Sequence, residues 1–294
     1  MPLLSPRIMD QRIINLFDEY THKPLSRKEF MERLVKLTGG AVLAAAALAV
    51  LDPGYVQAAT IAEDDKDLAI EDVTWPGDNG MMKGYLARPK GHKKLGSVIV
   101  IHENRGLTPH IKDVTRRVAK AGYVALGVDA LSPFGGTPTN EDEGRTLIGK
   151  LDAQQNLTNY LAALTYLRQR KDSNGRTGCV GFCWGGGLAN QLAVHDPQLN
   201  VAVAYYGAQP KAEDVPNISA AVMLHYAGLD ERIDAGIPAY EAALKAAGVK
   251  YELYIYNGVQ HAFNNDTSPA RYNPEAAKLA WERTLRFFGE KLGT

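Results

Sequence analysis

The stretch that most limits what this chain can fold into is Thr177 to Gly187, TGCVGFCWGGG. Cys179 and Val180 lead into Gly181-Phe182-Cys183-Trp184-Gly185-Gly186, and apolar residues then return at helical spacing at Leu188, Ala189, Leu192 and Ala193. The pattern predicts a strand, a sharp turn and a helix, with Cys183 at the tip of the turn. Glycines stand two positions before and two after it, which is the spacing of the nucleophile elbow G-x-S-x-G with sulfur in place of oxygen. A side chain at either glycine would strike the neighbouring strand or helix once the tip residue is forced into a strained turn. The helix start behind Cys183 offers free backbone N–H groups and the positive end of a dipole, which favour a thiolate and a developing oxyanion. On the motif alone, a buried cysteine in a glycine-rich turn is the competing reading.

A chain of 294 residues holds one large α/β domain with an appendage, or two small domains. Its formal net charge is zero, so it offers neither a basic footprint for nucleic acid nor an acidic tail. No nucleic-acid partner is expected. The two cysteines, Cys179 and Cys183, lie four apart across a strand end and the turn, poorly placed for a disulfide. A zinc site would want further Cys or His at short spacing, so no metal is expected.

Residues 1 to about 60 differ from the rest and read as a separate leader or helical segment. Ile8 to Tyr20 carries apolar residues at helical spacing and predicts an amphipathic helix. Ser26-Arg27-Lys28-Glu29-Phe30-Met31 is followed by a weakly apolar run of about 15 residues, Leu37 to Leu51, too short for a stable membrane span of roughly 20. Asp52-Pro53-Gly54 breaks the helix, and Val56-Gln57-Ala58 presents small residues suited to a cleavage site. The hexapeptide resembles the twin-arginine export signal, with Lys28 where the second arginine would stand. The expectation is export to the periplasm. Alternatively the chain stays cytoplasmic and the segment is retained, packed on the domain or on a second subunit, which leaves a homo-oligomer open.

From about Ile70 strands and helices alternate, and residues 61–294 are expected to form one α/β domain. Glu71–Trp75 and Met82–Arg88 read as paired strands, and Ser97–Ile101 as a strand buried on both faces. Further strands are expected at Tyr123–Val128, Val201–Tyr205, Ala221–His225 and Tyr251–Tyr256. Helices are expected near 109–121, 152–170, 238–247 and 274–291, with a loop over 129–140. In a mostly parallel sheet, ligands bind beyond the carboxyl ends of the strands. Four such ends carry candidate chemistry: Glu103, Cys183, Asp230 and His261. The chain order nucleophile, acid, histidine is that of the α/β-hydrolase fold. A thiol needs a base, and the base needs an acceptor that fixes its tautomer. Asp230 could instead cap a helix. His225 is a rival base, set aside because it falls inside a strand and precedes the acid.

The segments IHENRGL, GFCWGGG, HYAGLDERI and GVQHAFNND together resemble the dienelactone hydrolase family, over about Ile70 to the C-terminus. The resemblance implies an α/β-hydrolase domain and a Cys183-His261-Asp230 triad. It implies hydrolysis of a small-molecule carboxylic ester or lactone through a thioester, without a cofactor. It also implies that Glu103 assists deprotonation of the thiol, and the backbone N–H groups of Trp184 and Asn104 would line the oxyanion hole. The family's two carboxylate-binding arginines have Pro133 and Asn265 near their places here. A neutral substrate is therefore expected, in a pocket with Phe134, Tyr206 and Phe263 beside Trp184 and Asn265. Arg105 could supply a positive charge from another direction or pair with a carboxylate. A non-catalytic binding or scaffold protein on the same fold is the rival reading.

Overall fold

A computed structural model describes residues 9–22, 25–51, 59–91 and 94–293. The expected helix break at 52–54 and cleavage site at 56–58 lie outside the described residues. The chain runs α1 (Gln11–His22), α2 (Arg27–Thr38), α3 (Ala41–Leu51), β1 (Leu68–Pro76), β2 (Met81–Pro89), β3 (Leu95–Ile101), α4 (Pro109–Lys120) and β4 (Val124–Asp129). It continues with α5 (Glu141–Ile148), α6 (Ala153–Gln169), β5 (Ser173–Phe182), α7 (Trp184–His195), β6 (Val201–Tyr205), β7 (Ala221–Ala227), α8 (Glu231–Asp234), α9 (Ile237–Ala247), β8 (Tyr251–Tyr256) and α10 (Pro274–Leu292).

The eight strands form one sheet in the order β1-β2-β4-β3-β5-β6-β7-β8. Strand β2 runs antiparallel to both β1 and β4, and every other neighbouring pair is parallel. Alternate residues of each central strand serve opposite cores. Ile99, Cys179 and Leu224 face Leu164 of α6, Leu192 of α7 and Leu244 of α9. Val98, Val100, Val180 and Met223 face Val114 of α4 and Phe288 of α10. This double burial is why the strands read as unbroken apolar runs. It also places the carboxyl ends of β3, β5, β7 and β8 along one rim.

Helices α1–α3 build a third core from Phe17, Tyr20, Phe30, Leu34, Ala44 and Leu51, which reaches Ala270 of the α/β domain. Helix α2 starts on a capping box, Ser26 with Glu29, and stops at Gly39 in the left-handed conformation (φ 79°). Among the described residues no single helix is long and apolar enough to cross a membrane, and α2 and α3 meet at a bend of 111°.

Candidate active site

Cys183 follows β5 directly and precedes α7, with φ 57° and ψ −114°. That conformation is costly for a residue with a side chain and survives because its surroundings fix it. The glycines permit it: a Cβ on Gly181 would lie 1.9 Å from the carbonyl oxygen of Gly185, and one on Gly185 would lie 2.5 Å from that of His102. The Cys183 N–H donates to the Tyr205 carbonyl at 3.0 Å, which pins the tip to β6. Trp184 opens α7, where the backbone N–H groups have no carbonyl of their own helix to bond. Its ring lies parallel to His102, 5.2 Å away.

Asp230 and His261 meet beside this turn. His261 Nδ1 lies 2.5 Å from Asp230 Oδ2, and both groups are buried. A carboxylate only accepts, so Nδ1 carries the hydrogen and Nε2 is left facing the sulfur. Burial opposes a charged imidazole, yet the Cys183 sulfur and Asp230 outweigh it and lift His261 to about 10. Burial likewise works against the ionised Asp230, and the hydrogen bond and charge of His261 prevail to hold it low. Asp230 also caps α8, accepting from the Ile233 N–H at 3.3 Å, so this carboxylate bonds both the helix start and His261. His225 is elsewhere, within β7 between the hydroxyls of Tyr256 (3.0 Å) and Thr284 (3.2 Å).

Glu103 sits past the end of β3 and accepts a hydrogen bond from Asn265 Nδ2 at 2.8 Å. Where an anion-binding arginine was sought, this chain thus places an amide that steadies Glu103. Asn104 sends its side chain to the Thr21 carbonyl at 2.6 Å. Arg105 pairs with Glu141 at 2.7 Å, the second of the two roles expected for it. Tyr206 and Phe263 are buried next to the site, with the Tyr206 ring 4.8 Å from His261 and 5.5 Å from Phe263. Phe134 does not join them in a buried pocket. It stands 44% exposed on a short 3-10 turn, because the chain reverses at Gly135 in the left-handed conformation.

Sequence reasoning missed His22. The last residue of α1 brings its Nε2 to 3.0 Å from Cys183 Sγ, and its ring lies 4.7 Å from that of His261. Its Nδ1 is 2.8 Å from the Asp18 carbonyl, which again places the hydrogen on Nδ1 and leaves Nε2 to accept from the thiol. Burial, joined by the charges of His261 and Arg232, holds His22 well below its usual range and so neutral. The sulfur faces His22, while His261 Nε2 has no hydrogen-bond partner among the described residues. A 161-residue separation leaves no local pattern by which sequence could have paired His22 with Cys183.

A model of the dienelactone hydrolase family matches residues 82–292. The chain belongs to the dienelactone hydrolase family. It is 34% identical over 248 residues to the "Putative carboxymethylenebutenolidase" of Escherichia coli O157:H7, a match covering 79% of this chain and 91% of that one. The solved "Putative Dienelactone Hydrolase" of Klebsiella pneumoniae superposes with a TM-score of 0.69 at 30% identity, over 76% of this chain and 99% of that one. The dienelactone hydrolase of Anabaena variabilis shares the fold, with a TM-score of 0.61 at 22% identity over 77% and 99% of the two chains. The family match begins inside β2, so α1–α3, and with them His22, lie outside it. As a family member the chain is a hydrolase on an α/β fold.

Proposed function

We propose that the chain hydrolyses a neutral carboxylic ester or lactone through a thioester on Cys183. The observation that carries this reading is a cysteine at a left-handed strand-to-helix tip beside a buried His261–Asp230 pair. Cys183 Sγ, its proton passed to His261, attacks the carbonyl carbon, and the carbonyl oxygen gains the negative charge. The backbone N–H groups of Trp184 and Asn104 stabilise that oxyanion. His261, charged and oriented by Asp230, protonates the leaving alkoxide as the tetrahedral adduct collapses to the thioester. Water then attacks the thioester, His261 takes its proton, and collapse releases the acid and the thiol. Glu103, held by Asn265, assists withdrawal of the thiol proton when substrate arrives.

Neutrality of the substrate is supported by the engagement of Arg105 and Arg271. Arg105 is committed to Glu141, Arg271 reaches Asp18 at 3.2 Å, and Asn265 stands where a clamping arginine would be. Cys183→Ala is expected to abolish turnover of an activated short-chain ester with the fold unchanged by circular dichroism; retained turnover would sink the proposal. Preference for carboxylate-bearing over neutral substrates in a lactone and ester panel would remove the neutral part alone.

Export is proposed on the strength of Ser26–Met31 and the apolar run behind it. Cleavage near Ala58 would remove α1–α3, so the closed chain described here would be the precursor. Sequencing the N-terminus of the protein recovered from cells tests this, and a start at Met1 or Pro2 contradicts it.

A further inference from the structure

His22, Cys183 and His261 each present one ligand atom, and those three atoms lie within 4.8 Å of one another. Ligand atoms around a tetrahedral zinc ion, at about 2.0–2.3 Å from the metal, lie roughly 3.3–3.7 Å apart. The 3.0 Å contact between His22 and the sulfur and the 4.8 Å outer limit bracket that spacing, so small side-chain rotations suffice. Two further features point to a metal. Each imidazole is tied through Nδ1 to an oxygen, His22 to the Asp18 carbonyl and His261 to the Asp230 carboxylate, as metal-binding histidines are. And His261 Nε2, on a side chain 2% exposed, is aimed into the cluster with no hydrogen-bond partner among the described residues.

We propose that His22, Cys183 and His261 form a binding site for a thiophilic divalent cation of the zinc class, assembled when α1 closes over the rim. Binding releases to solvent the protons held by the Cys183 sulfur and by His261 Nε2, and forms one sulfur and two nitrogen bonds, leaving a fourth position for water. The metal takes the lone pairs of the sulfur and of His261 Nε2 that ester cleavage would need. Metal binding and hydrolysis therefore exclude one another. The spacing along the chain explains why no zinc motif was visible: the ligands come from α1, the β5–α7 turn and the loop after β8.

The test uses the full chain, stripped of metal, and cobalt(II) or zinc(II) alone, with no substrate. It therefore stands or falls independently of the thioester reading. One equivalent of cobalt should bind with a sulfur-to-metal charge-transfer band and the intense visible bands of a tetrahedral ion, and zinc should displace it. Cys183→Ala should lose the charge-transfer band, and His22→Gln should weaken binding at least tenfold and lose the tetrahedral spectrum. His195→Gln, at the exposed end of α7, should change neither. X-ray absorption of the zinc-loaded wild type should show one sulfur and at least two nitrogen neighbours, a readout that needs no variant. No charge-transfer band in the wild type, or equal cobalt affinity and spectrum in a folded His22→Gln, overturns the proposal.

Discussion

A methyl group at Gly181 would fall 1.9 Å from a carbonyl oxygen of the next turn, whereas one at Gly187, two residues beyond the rim of the same elbow, meets its nearest atom at an ordinary 3.5 Å. The two substitutions should therefore part in sign. Gly181→Ala is expected to cost more than about 3 kcal/mol, since backbone must move against backbone, and to abolish activity. Gly187→Ala is expected to be neutral or to stabilise by up to about 1 kcal/mol, because alanine is the better helix former. Urea unfolding of the two variants checks this, and equal effects would contradict the elbow geometry. At Asn265 the amide donates to Glu103 at 2.8 Å. Asn265→Asp sets two carboxylates against each other, and kcat/KM for the ester should fall at least tenfold while Asn265→Gln retains more of it. What was legible at this scale follows from covalent neighbourhood. Cys183 announced itself because its strained φ demands glycines at fixed offsets, and Asp230 and His261 because they follow strands whose apolar runs are plain. His22 and the Asn265–Glu103 bond were not legible, since each depends on side chains brought together by tertiary packing.

Strands β6 and β8 have the bounds that their apolar runs and flanking polar residues predict, because strands buried or paired along their full length carry their ends in the sequence. Helices α2 and α5 were not foreseen. The first was masked by reading its basic start and apolar continuation as a leader, and the second is a short, polar helix begun by an Asn140 cap. Strand β7 and helix α10 are joined by His225, buried between Tyr256 and Thr284. Burial, helped by the Arg283 charge, lowers this histidine to about 3. In the unfolded chain it titrates near about 6.5, so below that pH the unfolded state takes up a proton that the folded state refuses. The stability it contributes is whole above about pH 6.5 and is lost, at up to about 1.4 kcal/mol per pH unit, as pH falls toward 3. His225→Gln should flatten the stability profile across that window relative to wild type, measured by urea unfolding at several pH values. Parallel profiles would show that His225 is not a determinant of acid sensitivity.

At the scale of the whole molecule, α1–α3 form a cover on the rim where the strand-end residues converge. The cover is held at separate points: Tyr20 Oη donates to Asp142 Oδ1 at 3.1 Å and Arg27 pairs with the same carboxylate. Arg271 reaches Asp18 at 3.2 Å, with its guanidinium 5.1 Å from the Phe17 ring, and Asn104 holds the Thr21 carbonyl. These ties are polar and partly exposed, worth about 1 kcal/mol each, while the apolar cluster of α1–α3 is satisfied mainly by its own residues. A cover of that kind can lift without unfolding the α/β domain, and access to Cys183, 7% exposed when it is seated, depends on its doing so. Asp142→Ala removes the ties of Tyr20 and Arg27, and Arg271→Ala removes the tie to Asp18; losing these three should raise the open population at least about tenfold, for which a loss of about 1.4 kcal/mol suffices. Labelling of Cys183 by a thiol-reactive probe should accelerate by that factor. Cys179 supplies the internal control: it is fully buried within β5, burial pushes its thiol well up, and it should stay unlabelled in wild type and variant alike. Unchanged labelling of Cys183 in a folded double variant would mean that these ties do not hold the cover shut. Labelling of both cysteines would mean that access comes from opening of the sheet itself.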